Sequence, residues 1–168
     1  MKNINMRDIM KQEYILAKKL YELLKSKSLK IATAESCTGG LIGGALTAVP
    51  GMSEFYGFGV VTYANEAKEK LLGVSHSTLE AVGAVSYETA CQMAHGALEM
   101  SGADIAVSVT GIAGPGGGTA EKPVGLVYIG IALKGTPPKA YKNIFEGNRD
   151  EVRMSTVCRA IELVMENI

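Results

Sequence analysis

What the sequence lacks narrows its chemistry first. Seventeen basic side chains are matched by seventeen acidic ones, so the 168 residues carry no net charge. Nothing draws the chain as a whole to nucleic acid or to an anionic membrane, and any electrostatic work must be local. No apolar run is long enough to span a bilayer; the longest, such as Leu41–Pro50, are short and interrupted by glycine. Met1 to Met6 hold no apolar signal-peptide core, so a cytoplasmic location is the expectation. Cysteine is scarce. Cys37, Cys91 and Cys158 are odd in number and far apart, which excludes a disulfide framework and a paired metal site. Cys91 and Cys158 read as reduced core thiols. Histidine is scarcer still. With only His76 and His95, and His95 inside an expected helix, a Ser-His-Asp triad is possible but has no support. There is no internal repeat and no low-complexity linker. Length and composition fit one globular domain over residues 1–168, with 1–6 as a flexible tail.

What is present reads as alternating helices and strands. Residues 7–26 place Ile9, Ile15, Leu16, Leu20, Leu23 and Leu24 near one helical stripe. Leu29–Ala34 reads as a short buried strand, Gly39–Val49 as a small-residue helix ended by Pro50-Gly51, and Tyr56–Tyr63 as a strand. Asn65 can cap a helix to about Leu72, and Gly73 stops it. Ser77–Val82 reads as one more turn, and Ser86 caps a helix to about Met100. Asp104–Thr110 reads as a third strand. Gly125–Leu133 and Lys139–Phe145 read as a hairpin, and Asn148 caps a last helix to about Glu166. Helices interleave with strands early, then two strands follow in succession. The expected fold class is α/β: a three-layer α/β/α domain with a mixed, partly antiparallel sheet. Strand order is not readable from these patterns.

The chain is organised around Thr33-Ala34-Glu35-Ser36-Cys37-Thr38-Gly39-Gly40, a strand, a tight turn and a helix start. Open α/β sheets place ligands at such turns. Ser36 is either a helix cap or a nucleophile. The surrounding residues are not the Gly-x-Ser-x-Gly elbow, and no lysine follows at Ser-x-x-Lys spacing. A base is offered by Tyr63 and Lys68, at a strand end and in the next helix's first turn; burial and mutual charge would tune either one. The alternative is a strand-end tyrosine and a solvated lysine. Gly111–Gly118 is a glycine-rich loop after a strand, either a phosphate or oxyanion cradle or a mobile surface loop. It is not a P-loop, since no Lys-Ser/Thr follows. Thr110 would bring a hydroxyl to the same edge. Arg149, opening the last helix, is either an anion clamp or an unpartnered surface charge.

Thr33–Gly40, Gly59–Lys68, Gly83–Ser86, Val107–Gly118 and Lys122–Gly125 together closely resemble the CinA C-terminal domain family, named from competence/damage-inducible protein A. The resemblance runs from about residue 10 to the C-terminus. It implies hydrolysis of the carboxamide of nicotinamide mononucleotide to nicotinate mononucleotide and ammonia, a step of pyridine-nucleotide salvage, with no cofactor and no metal. By motif it implies Ser36 as nucleophile, with Tyr63 and Lys68 completing the catalytic set and Thr110 and Arg149 assisting. Thr38, Gly39, Gly40, Gly111 and Gly114 join these two as expected substrate-binding positions. The expected partner is a small nucleotide substrate, with a homodimer or higher homo-oligomer and no nucleic acid or membrane. In many relatives this domain ends a longer protein with a pyrophosphatase-like domain, whose activity is not transferred here.

Two rival readings remain. Cys37 could replace Ser36 as nucleophile, though no adjacent base is evident. The chain could also be a non-catalytic nucleotide-binding or assembly module that keeps the pocket without turnover.

Overall fold

In the computed structural model, which describes residues 6–168 (side chains from residue 12), β1 (Ile31–Glu35) lies between two parallel neighbours, β2 (Tyr56–Val61) and β3 (Ile105–Gly111). β4 (Leu126–Leu133) runs antiparallel to β3, and β5 (Lys139–Ile144) antiparallel to β4, giving the order β2-β1-β3-β4-β5. The chain leaves β1 to build β2 on one side and later β3 on the other. The end of β1 is therefore a topological switch point, the crevice where open α/β sheets receive ligands. The mixed sheet with its antiparallel hairpin is the architecture the sequence predicts.

The alternation of side chains along the strands decides which helices cover which face. Ile31, Val107, Val109, Ile129 and Ile131 pack under α1 (Met6–Lys27), α2 (Leu41–Thr47) and α6 (Arg149–Asn167). Their neighbours Ala32, Ala34, Ala106 and Ala132 face α3 (Asn65–Leu72), α4 (His76–Val82) and α5 (Tyr87–Ser101). One face is bulky and branched; the other is nearly bare. The bare face lets α5 approach closely. Ser108 Oγ donates to the Ala90 carbonyl at 2.6 Å, and a Cβ on Gly130 would run into that same carbonyl. Gly96 of α5 likewise has the Leu72 carbonyl where a Cβ would sit.

Helix ends follow local chemistry with two corrections. Ser86 Oγ accepts from the Thr89 N–H at 3.2 Å, and Asn148 with Glu151 forms a capping box at the start of α6. Asn65 does not cap α3: Ala64 holds the cap position and Asn65 is the first helical residue. α2 begins at Leu41, because Gly39 and Gly40 are both left-handed, with φ of 63° and 101°. In α1, Leu16, Leu20 and Leu24 are buried while Ile15 is exposed; the Ile9 side chain and residues 1–5 of the expected tail lie outside the described residues, and α1 already includes Met6. No helix among the described residues is long and apolar enough to cross a membrane.

Candidate active site

The carboxyl ends of β1, β2 and β3 open into a cavity of about 210 Å³, lined by Ser36, Tyr63, Lys68, Thr110, Gly111 and Arg149 among others. Three parallel strands ending side by side bring together residues that are far apart in the chain. Ser36 follows β1, and its N–H donates to the Val109 carbonyl of β3 at 3.0 Å. Lys68 comes from the first turn of α3 and points back under the β2 end. It is only 1% exposed.

Lys68 Nζ lies 3.2 Å from Ser36 Oγ, 2.7 Å from the Thr62 carbonyl and 3.4 Å from the Tyr63 carbonyl. Three acceptors satisfy an ammonium. The same geometry suits a neutral amine, whose two N–H groups go to the carbonyls while the lone pair faces the serine hydroxyl. Burial lowers the Lys68 pKa from its ordinary 10.5, opposed by the nearby Cys37. A lysine with no carboxylate partner among the described residues, aimed at a serine, is equipped to exchange a proton.

Tyr63 is placed differently from the expected Tyr/Lys pair. Its carbonyl, not its phenol, meets Lys68. The side chain is 66% exposed, and its hydroxyl accepts from Arg149 Nη2 at 3.4 Å. β2 ends at Val61, but its alternation carries on for two residues, with Thr62 turned inward and Tyr63 outward. Arg149 Nη1 donates to the Gly114 carbonyl at 2.7 Å. Two of the helix-start N–H groups that could help Arg149 hold an anion are already used, since Asn148 Oδ1 accepts from Asp150 and Glu151 N–H at 2.9 and 3.1 Å. Arg149 also borders a second cavity of about 540 Å³ with Ala113, Pro115, Val124 and Asn148. Thr110 lines the first cavity, its hydroxyl oriented by donation to the Ala84 carbonyl at 2.7 Å.

The turn after Ser36 is built on a residue the sequence reading left without a role. Glu35 is 1% exposed and accepts four hydrogen bonds: from Thr38 Oγ1 at 2.6 Å, Gly40 N–H at 3.0 Å, Ile42 N–H at 3.0 Å and Gly43 N–H at 2.8 Å. Thr38 and Gly40 therefore serve the turn and do not line the cavity, and the Gly39 N–H donates to the Ser36 carbonyl at 3.0 Å. Arg153 of α6 binds the turn from outside, through Nε to the Cys37 carbonyl at 3.2 Å and Nη2 to the Thr38 carbonyl at 2.9 Å. The signals for both were present: a carboxylate closing an apolar strand ahead of Gly-Gly, and an arginine four residues after Arg149 on one helix face.

Other nucleophiles and bases are poorly placed. Burial pushes the Cys37 thiol up to about 11, so its thiolate is scarce near neutrality. His76 pairs with Glu69 at 2.9 Å on the surface, and His95 borders a different cavity beside Lys134. Among the described residues, no group of three or more His, Cys, Asp or Glu side chains is arranged to hold a metal ion.

These features define a class: an α/β domain with a serine and a buried lysine in contact at the switch point of its sheet. The chain belongs to the CinA C-terminal domain family, whose model matches residues 13–168. A CinA-like protein of Chloroherpeton thalassium is 66% identical over 111 residues, covering 66% of this chain and 26% of that protein. A protein of Clostridium acetobutylicum, named as competence-damage inducible, is 52% identical over 146 residues, covering 87% of this chain and 35% of its own length. The chain thus spans about a third of the length of the curated relatives it matches. Among solved structures, the competence/damage inducible protein CihA of Agrobacterium tumefaciens superposes with a TM-score of 0.90 at 47% identity, over 92% of this chain and 94% of that one. A CinA superfamily protein of Escherichia coli gives 0.89 at 35% identity, over 99% and 96%.

Proposed function

We propose that the protein hydrolyses the carboxamide of nicotinamide mononucleotide, with Ser36 as nucleophile and Lys68 as its base. The observation that carries the mechanism is the 3.2 Å contact between Ser36 Oγ and the buried Lys68 Nζ. The substrate follows from the motif resemblance, which names a reaction this pair can perform.

Neutral Lys68 takes the Ser36 proton as Oγ attacks the amide carbon. The tetrahedral oxyanion forms beside the Cys37 N–H, which bonds to no other of the described residues and reaches only its own thiol. As the C–N bond breaks, Lys68 returns the proton to the departing nitrogen, and ammonia leaves an acyl-Ser36 ester. Water then attacks the ester and gives its proton to Lys68, which passes it back to Ser36 Oγ as nicotinate mononucleotide departs. Lys68 is thus the immediate base. Tyr63, outside hydrogen-bond reach of Ser36, forms the rim with Arg149. Arg149 stands between the two cavities and meets the ribose phosphate, with Thr110, Gly111 and the Gly114 turn shaping the wall. Thr38, Gly39 and Gly40 act through the turn.

The test is ammonia release from nicotinamide mononucleotide by wild type beside Ser36→Ala. Release by wild type alone supports the reading. A folded wild type that releases none, yet melts higher with the nucleotide, is a binding module instead.

A further inference from the structure

We propose that Arg153 is a positioning residue, whose guanidinium fork fixes the peptides after Ser36 so that the Cys37 N–H is held ready for the oxyanion. The inference rests on Ser36 being the nucleophile. It concerns a cation beside the turn that has no part in the mechanism above.

Arg153 lies one helical turn beyond Arg149, on the same side of α6. Its Nε and Nη2 engage two successive carbonyls, Cys37 at 3.2 Å and Thr38 at 2.9 Å. A planar fork on two adjacent carbonyls sets an orientation as well as a distance. The Ser36 carbonyl is meanwhile held by the Gly39 N–H at 3.0 Å. Cys37 therefore has its peptide clamped on both sides. A trans peptide points its N–H opposite its C=O, so the Thr38 carbonyl held by Arg153 orients the Gly39 N–H; that N–H holds the Ser36 carbonyl, and with it the Cys37 N–H of the same peptide.

The remaining hydrogen bonds leave a specific gap. The Gly39 and Gly40 N–H groups are spent on the Ser36 carbonyl and on Glu35. Neither the Cys37 nor the Thr38 N–H bonds to another of the described residues, the Cys37 N–H reaching only its own thiol, and Cys37 borders the cavity beside Ser36. The Thr38 carbonyl has a second donor, the Leu41 N–H at 3.4 Å, but the Cys37 carbonyl depends on Arg153. The guanidinium packs directly against the turn: a Cβ on Gly39 would be in van der Waals contact with Arg153 Nη2 at 3.4 Å. The other polar contact of Arg153, with Asp150 at 3.9 Å, is too long to define where the side chain goes.

A fluorophosphonate probe tests this without relying on the natural substrate. Ser36 Oγ bonds to phosphorus, fluoride leaves, and the serine proton passes to Lys68; the phosphoryl oxygen uses the same N–H. Labelling rates are read by intact mass for wild type, Ser36→Ala, Arg153→Gln and Arg153→Lys, beside melting temperatures. Misplacing an oxyanion donor by about 1 Å costs on the order of 100-fold. Arg153→Gln should label about 100-fold more slowly while remaining folded, and should lose kcat for ammonia release with little change in KM. Arg153→Lys, with the charge but no fork, should recover only a small part, and added guanidinium should partly restore an Arg153→Ala variant. Wild-type labelling rates in folded Arg153→Gln overturn the proposal, and full recovery in Arg153→Lys overturns the fork. If Arg153→Gln does not fold, the Lys variant decides alone. A wild type that labels at Ser36 but releases no ammonia removes the amidase reading and leaves Arg153 to the labelling rates. A folded wild type that does not label overturns both.

Discussion

Replacing Glu35 by glutamine exchanges one oxygen for an NH2 group and leaves shape nearly unchanged. The carboxylate accepts three donors on Oε2 (Thr38 Oγ1, Gly40 N–H and Ile42 N–H) and one, the Gly43 N–H, on Oε1. The amide does least harm with its oxygen in the Oε2 place, which sets its NH2 against the Gly43 N–H. One bond is then lost, two donors face each other, and the three remaining bonds lose their charge assistance. At about 1–3 kcal/mol for a stranded buried donor, the cost is about 2–4 kcal/mol. For a chain of this size that lowers the melting temperature by roughly 5–15 °C. Calorimetry of wild type and Glu35→Gln measures it, with ammonia release assayed well below both midpoints. Turnover should fall in parallel, since the same four bonds shape the Ser36 turn. A melting temperature within about 2 °C of wild type would show that Glu35 is not the keystone of the turn.

Lys68→Met should lower kcat at least about 100-fold in a folded protein, as loss of a general base does; wild-type turnover in that variant removes Lys68 from the chemistry. In the wild type, kcat/KM should rise with pH as Lys68 loses its proton, on a limb lying below the ordinary 10.5 because burial lowers its pKa. The same shift makes the unfolded chain bind more protons between the lowered and the ordinary value. Raising pH through that window should therefore stabilise wild type relative to Lys68→Met, and denaturant titrations with no such difference would contradict it. Tyr63→Phe, which deletes a rim hydroxyl held only by Arg149, should raise KM several-fold with kcat nearly kept; a loss as deep as that of Lys68→Met would return the phenol to the proton path. Gly130→Ala should cost about 1–3 kcal/mol by urea titration, because the new methyl meets the Ala90 carbonyl under α5; a neutral effect would mean that α5 can retreat.

Much of the fold was legible because each strand and most helices carry their own punctuation. Ser86 and Asn148 announce α5 and α6, and the successive runs Gly125–Leu133 and Lys139–Phe145 announce the antiparallel hairpin. Strand order was not legible, since nothing local says that β1 sits between β2 and β3. Ser36 and Lys68 stood out as residue types at element ends, yet their contact needed β1 and β2 to end side by side. Tyr63 was read by its phenol as a partner of Lys68; in the structure its carbonyl is the group that meets Lys68, while the hydroxyl meets Arg149. Asn65 looks like a cap by residue type, but the backbone puts Ala64 in that place. Glu35 and Arg153 were hidden for opposite reasons. Glu35 binds donors three to eight residues ahead, inside a stretch being read for its serine, while Arg153 reaches a partner 116 residues away.

That long reach bears on how the protein is made. Synthesis delivers Ser36 and Lys68 early, and β1, β2 and α3 have emerged long before α6 leaves the ribosome. Until α6 docks, the Cys37 carbonyl lacks its guanidinium and the cavity lacks Arg149 on its rim. A nascent chain can thus bring its serine and lysine together while the turn after Ser36 and the rim of the cavity still wait for α6.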